Sequence, residues 1–347
     1  MLQIINLPLI FAQKNSVPQK KILFLKYTGL INLSPLFSMD YFKTTNGMNN
    51  TFDVIIVGGS FAGLSAAMAL GRSHRKVLII DSGLPCNRQT PHAHNLITHD
   101  GEKPSSIAAE AKKQVLHYPS VSFEYGTATR LSGQNKAFEI ETGNGMIYKT
   151  QKVLFTTGVK DQMPDITGFA ECWGVSALHC PYCHGYEVSH QPLGILANGD
   201  VGYHMTTLIN NWSKDLSLFT NGVSQLSNEQ TQKLQSKGIR IVEKPVAAFD
   251  HDGGQIKNLV FEDKTSQLLT AVFARLPFTQ HCDLPQKAGC EITADGFIKT
   301  DDFKRTSIPG IFAAGDNTSM MRSLSVAIAA GSVAGAIINA EMIEEAF

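Results

Sequence analysis

The sequence predicts an α/β chain built on two open, largely parallel sheets, and three stretches carry that prediction. "FDVIIVGGSFAGLSAAMALGRSHRKVLIIDSG" begins at Phe52 and "PLGILANGDVGYHMTTLINNWSKDLSLFTNG" at Pro192. Each runs an apolar segment into a glycine turn, a helical stretch and a second apolar segment, the order of a βαβ unit of about 30 residues. The third, "TSIPGIFAAGD" (306–316), reads as a strand ending in Gly-Asp, with a small-residue helix after it over 323–340.

In the first unit Val54–Val57 and Val77–Ile80 are the expected strands. Gly58 allows a tight turn and Gly63 a close helix–strand contact, so the amides of Gly59, Ser60, Phe61 and Ala62 at the helix start are offered to a pyrophosphate. Ser60 stands where the pattern has its middle glycine, and its hydroxyl offers a hydrogen bond in return for a more crowded approach. Asp81 ends the second strand at the spacing of a carboxylate that binds a ribose hydroxyl. In the second unit Leu193–Leu196 and Leu216–Phe219 are the strands, with Gly199 and Gly202 in the turn and Asp200 between them. Ala197 replaces its first glycine, and Thr220 and Asn221 stand where an acid would mark NAD or arginines NADP. The choice between the two nucleotides is open on these residues.

A chain of 347 residues, 43% of them hydrophobic, is long enough for two domains with separate cores. Thirty basic residues balance thirty acidic ones, so no global field favours nucleic acid or an anionic membrane, and the expected partners are small molecules or another protein. The 323–340 stretch is interrupted by glycines and falls short of about 18 unbroken apolar residues, which predicts a core helix and no membrane span. Six cysteines are too few for a disulfide framework, which points to a reducing, cytoplasmic setting. Residues 1–47 hold five lysines, no arginine and one acid, Asp40, without the pattern of a signal peptide, and are read as an upstream stretch before a start at Met48; the disordered N-terminal extension is expected over 1–49.

The stretch "HCPYCHGYE" (179–187) places Cys180 and Cys183 in C-x-x-C spacing and follows them with His184. Such a pair can close a short disulfide, and an imidazole beside it exchanges protons near neutrality. Cys172, His179, Cys180, Cys183 and His184 are also numerous enough for a zinc site. Adjacent His-Cys and Cys-His pairs converge poorly on one ion, so the redox pair is the preferred reading and no metal is expected. Cys86, Cys282 and Cys290 are read as ordinary thiols, and Trp173 as a packing residue.

Taken in order, "VIIVGGSFAGLSAA", "VLFTTG" (153–158), "HCPYCHGYE" and "TSIPGIFAAGD" resemble the low-molecular-weight thioredoxin reductase family of FAD-dependent pyridine nucleotide–disulfide oxidoreductases, from about Asn50 to the end of the chain. The resemblance implies two Rossmann-like three-layer domains, the nicotinamide domain (161–275, carrying the C-x-x-C) inserted into a discontinuous FAD domain (50–160 and 276–347). It implies FAD held by Gly58–Gly63, Asp81, Thr157, Gly158, Gly315 and Asp316, with the amides of Ser325, Val326 and Ala327 toward the flavin and Arg88 and Asn95 contributing from the loop "CNRQTPHAHNLITHDG". Gly199, Asp200 and Gly202 would hold NADPH, or NADH. Cys183 would be the flavin-proximal thiol and Cys180 the one that attacks a protein disulfide (thioredoxin-like) or a small-molecule disulfide. A homodimer and a rotation of the inserted domain follow from the same resemblance. One departure matters: the family commonly has aspartate after the second cysteine, and this chain has His184, as do dithiol oxidases of the gliotoxin type. The alternative is therefore an FAD-dependent dithiol oxidase with oxygen as acceptor, and a third reading, from another class, is a non-catalytic zinc- or nucleotide-binding sensor.

Overall fold

A computed structural model describes residues 50–347, so the extension expected over 1–49 lies outside the described residues. The chain enters a sheet at once. Strands β1 (Thr51–Val57), β2 (Val77–Asp81) and β3 (Val121–Tyr125) are parallel, with α1 (Phe61–Arg72) and α2 (Pro104–Val115) as the crossovers. A hairpin of β4 (Ala128–Gln134) and β5 (Ala137–Thr142) follows, and β5 runs antiparallel to the first half of β6 (Ile147–Phe155). β6 is parallel to β1 from Thr51↔Lys149 to Val57↔Phe155.

Past β7 (Val159–Asp161) a second sheet is assembled. Its elements are α3 (Phe169–Cys172), β8 (Ala177–Leu178), α4 (Pro181–His184), β9 (Leu193–Leu196), α5 (Gly199–Ile209), β10 (Leu216–Phe219), α6 (Asn228–Ser236) and β11 (Arg240–Val242). An antiparallel sheet of β12 (Val246–Asp252), β13 (Gln255–Phe261) and β14 (Ser266–Leu268) intervenes before β15 (Ala271–Ala274) completes the parallel order β11-β10-β9-β15-β8. The chain returns through β16 (Phe278–Gln280), antiparallel to β7, and α7 (Leu284–Lys287); β17 (Ile311–Ala313) then pairs with the second half of β6, and α8 (Leu324–Ala346) ends the fold. The first sheet, in the order β3-β2-β1-β6-β5-β4 with β17 on β6, thus draws strands from both sides of the segment that builds the second.

The strands read as unbroken apolar runs because parallel sheets are covered on both faces. Val54, Ile56, Val77 and Ile79 face α1, α2 and α8, while Ile55, Val57, Leu78 and Ile80 face the layer of Phe138, Leu284 and Ile298. Both sheets change winding direction beside a glycine turn, β1 against β6 and β9 against β15, and open sheets bind ligands at such points.

Two expectations are adjusted. The strand read over 306–316 is confined to Ile311–Ala313, because Pro309 has no N–H to give a ladder and Gly310 turns at φ +80°. The helix read over 323–340 runs on to Ala346. By length and composition α8 is apolar enough to cross a membrane, with a mean hydropathy of 1.7. Its glycines explain its composition otherwise: a Cβ on Gly331 would stand 2.0 Å from the Ala62 carbonyl oxygen and one on Gly335 2.6 Å from that of Ala66, so α8 lies backbone to backbone on α1.

The last turns of α8 also hold a buried charge. Lys152 on β6 is fully buried, and its Nζ reaches Glu341 at 2.6 Å and Glu345 at 2.7 Å. Burial pushes the Glu345 carboxyl up, but Lys152, Asn135 and Lys136 outweigh it and hold the group below its ordinary 4.5. Lys152→Met strands two carboxylates that keep partial access to water, and is expected to cost about 3 kcal/mol in urea denaturation. Because the folded carboxyl is depressed, its share of that stability is present above the ordinary 4.5 and lost as pH falls through the lower folded value, so the wild-type minus mutant difference should shrink as pH falls from 4.5.

Candidate active site

The cysteine pair sits on the shortest of scaffolds. Pro181 fixes φ at the first position of α4, leaving Cys180 as N-cap and Cys183 inside the turn. Cys183 Sγ donates to Cys180 Sγ across 2.6 Å. That bond and the backbone amides of Cys183 and Tyr182 outweigh burial and bring Cys180 down to about 7, from 9.0. Cys183 moves the other way, far above the usual thiol range, through its bond to Cys180, burial, and the charges of Asp316 and Glu187. One sulfur is therefore a ready nucleophile near neutrality while the other keeps its proton. His184 ends α4; burial lowers its proton affinity, nearby His94 lowers it further, and Glu187 opposes both. His179, before the pair, is pushed down to about 4 by burial and by Arg322, and its Nδ1 is buried without a hydrogen-bond partner. Cys172 is elsewhere, in the core formed with Phe169, Phe249 and Val272, and among the described residues no three His, Cys, Asp or Glu side chains cluster as a metal site. Trp173 packs there too, stacked on Phe169.

Beneath the pair lies a cluster the sequence did not reveal. Arg322 grips Asp161 with two hydrogen bonds of 2.7 and 3.1 Å, and Trp173 Nε1 donates to the same carboxylate at 3.3 Å. Arg322 Nε stands 3.8 Å from Asp316, and the Cys86 thiol, turned inward although the residue is exposed, donates to Asp316 at 3.8 Å. Burial and Asp316 push Cys86 up to about 11, which keeps it protonated. Asp316 arrives directly after β17, through Gly315 at φ +94°.

From Asp316 the structure leads to the first glycine turn. Gly58 adopts φ +108° and a Cβ there would meet the Thr156 carbonyl oxygen at 2.4 Å; a Cβ on Gly63 would meet the Gly58 carbonyl oxygen at 2.0 Å. Asp81 accepts the amides of Gly59 at 2.8 Å and Gly83 at 3.0 Å. Ser60 is the N-cap of α1 and makes no cap hydrogen bond, so first-turn amides remain for a ligand. Phe61 and Ala62 contribute backbone only: Phe61 is packed among Ala93, Leu96 and Ile107, and Ala62 lies under Gly315 and Gly331. Thr157 Oγ1 is buried with no partner, and Gly158, at φ +63°, faces open space. Ser325 ties α8 to the 82–103 segment through the Asn95 carbonyl at 3.0 Å. The amides of Val326 and Ala327 are already held by Ser323, at 3.2 Å to its hydroxyl and 3.0 Å to its carbonyl. Asn95 is left-handed at φ 60°, with its own amide on Asp100 at 2.7 Å, and Arg88 is exposed with its guanidinium on the Pro85 carbonyl.

The sequence profile described as pyridine nucleotide-disulphide oxidoreductase matches residues 52–331. The chain belongs to this family. Thioredoxin reductase tcpT of Claviceps purpurea is 30% identical over 311 residues, covering 86% of this chain and 96% of that one. Thioredoxin reductase aclD of Aspergillus oryzae is 30% identical over 299 residues, covering 82% and 94%. The crystal structure of an oxidoreductase from Agrobacterium tumefaciens superposes with a TM-score of 0.80 at 33% identity, over 85% of this chain and 99% of that one.

As a pyridine nucleotide-disulphide oxidoreductase the protein is an enzyme, and FAD and NADPH are the cofactors of its family. The first turn fits FAD: a cradle that any Cβ would fill, an uncapped helix start and the orphaned Thr157 hydroxyl are what a pyrophosphate-bearing ligand needs. The second turn is less open. A cavity of about 220 Å³ lies at the ends of β9, β10 and β15, lined by residues that include Leu196, Ala197, Asn198, Thr220 and Asn221, where a dinucleotide enters such a sheet. Asn198 intrudes on its donors. Its Oδ1 accepts the amides of Gly199 and Gln225, both at 2.8 Å, and its Nδ2 donates to Thr220 and Val223. Gly199 turns at φ +56°, Gly202 packs α5 against Ala197, and Asp200 in the first turn of α5 is held by Gln230 at 2.8 Å.

Proposed function

We propose that this family member is a thioredoxin reductase-like flavoenzyme passing electrons from NAD(P)H through FAD and the Cys180–Cys183 pair to a protein or small-molecule disulfide. The observation that carries the reading is the geometry of the pair: Cys180 and Cys183 Sγ lie 2.6 Å apart at the start of α4, an arrangement that favours the thiolate on Cys180 and the proton on Cys183, with His184 adjoining them and Asp316, after β17, close enough to act on Cys183. Bound FAD supplies the two electrons that reopen the pair. The rest belongs to the chain. The Cys180 thiolate attacks the substrate disulfide, forming a mixed disulfide and releasing one thiolate, which takes a proton. Cys183 then gives its proton to His184 and attacks the Cys180 sulfur, which expels the second thiol and closes the pair as a disulfide.

The same reading places the enzyme in the cytoplasm, supported by six free thiols, as a homodimer, supported by exposed apolar side chains such as Val333 and Ile343 on α8. The relatives' names support a thioredoxin-like partner. A turn of the inserted domain would bring the nucleotide crevice and the cysteines to the flavin alternately.

A specific observation favours a second reading. Asn198 already satisfies the Gly199 and Gln225 amides, Asp200 puts a carboxylate in the first turn of α5, and no arginine directly follows β10. A chain with that turn fits a dithiol oxidase that takes electrons from a small dithiol and gives them to oxygen. Anaerobic mixing separates the two: fast bleaching of the flavin by NADPH or NADH is the expected result, and bleaching only by a dithiol, with colour returning in air, would replace the reductase with the oxidase.

A further inference from the structure

His184 needs somewhere to put the proton it takes. Burial works against a charged imidazole at this position, and the reaction above uses no other group to hold it. Three residues on, Glu187 follows α4 and comes back toward the site. Opposite it is His94, from the segment that joins β2 to α2. His94 Nδ1 is buried and has no hydrogen-bond partner, yet it stands 3.4 Å from Glu187 Oε1 and 3.6 Å from Asp100 Oδ2. Its ring meets that of His184 edge-on, with centroids 6.4 Å apart. The His92 ring also lies 6.4 Å from that of His94, with Nδ1 committed to the Gly101 carbonyl at 2.9 Å. His94 and Glu187, from different segments of the chain, therefore meet beside His184, which lies near enough to feel the Glu187 charge.

We infer that Glu187 and His94 are positioning residues for His184, Glu187 holding the imidazolium formed when Cys183 is deprotonated and His94 passing the proton on toward solvent at Asp100. The inference rests on the cysteine chemistry proposed above. Only a proton moves: the Cys183 S–H breaks as a His184 N–H forms, and the charge is then handed across Glu187 to His94. Asp100, two-thirds exposed, is the outer end of the path. Because His94 comes from the first domain and His184 and Glu187 from the inserted one, the path exists only in the arrangement seen here. Turning the inserted domain away would part His94 from Glu187 and cut the cysteines' proton exchange during nucleotide access.

The two neighbours act on His184 with opposite signs, and that is testable without turnover. Ring resonances of the histidines in the FAD-loaded enzyme would be titrated by NMR, with His184 assigned by its loss in His184→Gln. In Glu187→Gln the His184 titration should move to lower pH; in His94→Gln it should move to higher pH. Single-turnover reduction of a small aromatic disulfide should slow about tenfold in Glu187→Gln and recover in Glu187→Asp. Titrations unchanged in both variants, or shifted in the same direction, would overturn the inference. Should Glu187→Gln fail to fold, His94→Gln decides alone, an upward shift supporting the assignment and any other result rejecting it. Opposite shifts in a protein whose wild type reduces no disulfide would leave the positioning residues standing and remove the reductase reading.

Discussion

Cys183→Ser is expected to leave a yellow, folded protein that forms a stable mixed disulfide with its substrate and turns over no further. On the proposed mechanism the cysteines act in sequence. Cys180, lowered to about 7, is about half ionised at that pH and attacks; only Cys183 can then release the product by attacking Cys180. A serine hydroxyl replaces the Cys183 hydrogen bond but not its nucleophilicity toward sulfur, so the first step survives and the second does not. Turnover should fall on the order of 10⁴-fold or more, as when a member of a nucleophilic unit is removed. Mass spectrometry of the intact protein, after mixing with a small disulfide, should find one substrate thiol attached to Cys180. The yield should rise with pH through about 7 as Cys180 ionises. Cys180→Ser should trap nothing, and a Cys183→Ser enzyme that still cycled would disprove the division of labour.

Gly63→Ala should bring a comparable loss by a different route, emptying the protein of flavin. The added methyl would stand 2.0 Å from the Gly58 carbonyl oxygen and 2.8 Å from Thr156 Oγ1, and the nearer obstacle is backbone. The start of α1 must then move off β1, which disperses the amides gathered at Ser60 and costs about 3 kcal/mol as overpacking. Purified Gly63→Ala is expected to be colourless or to lose its colour on dilution, with thermal unfolding well below wild type. Gly145→Ala is the control: it sits at φ +82° in the turn before β6 with nothing within 4 Å, so it should cost only the left-handed strain of about 1 kcal/mol and keep its colour.

What could be read beforehand follows from distance along the chain. Val54–Val57, Val77–Ile80, Leu193–Leu196 and Leu216–Phe219 all lie in strands, and the turns after the first of each pair are where the glycines put them, since a βαβ unit states its periodicity and its breakers within a short window. The polar partnerships obey no such window. Asp161 and Arg322 are 161 residues apart, and Lys152 and Glu341 189, so no local pattern joins them. His94 and Glu187 did stand inside the two stretches that drew attention, "HAHN" and "CHGYE", but what makes them interesting is that the fold sets one against the other. Asn198 shows the reverse difficulty: the glycines of the second turn are legible, and the side chain that occupies their amides is not.

The ribbon of β7 and β16 has a mechanical consequence. Arg322 clamps Asp161 at the end of β7, and the Gln162 amide bonds the Pro277 carbonyl, so this end of the ribbon is closed on itself and tied to the loop before α8. Thr167 is in turn joined to β12 through the Phe249 amide. Between these anchors the connections are only Met163–Asp165 on one side and Arg275–Leu276 on the other, both outside the strands. If the inserted segment turns as proposed, a hinge that short permits swing without slide, and the cysteines would return to the same spot near Asp316 after every cycle.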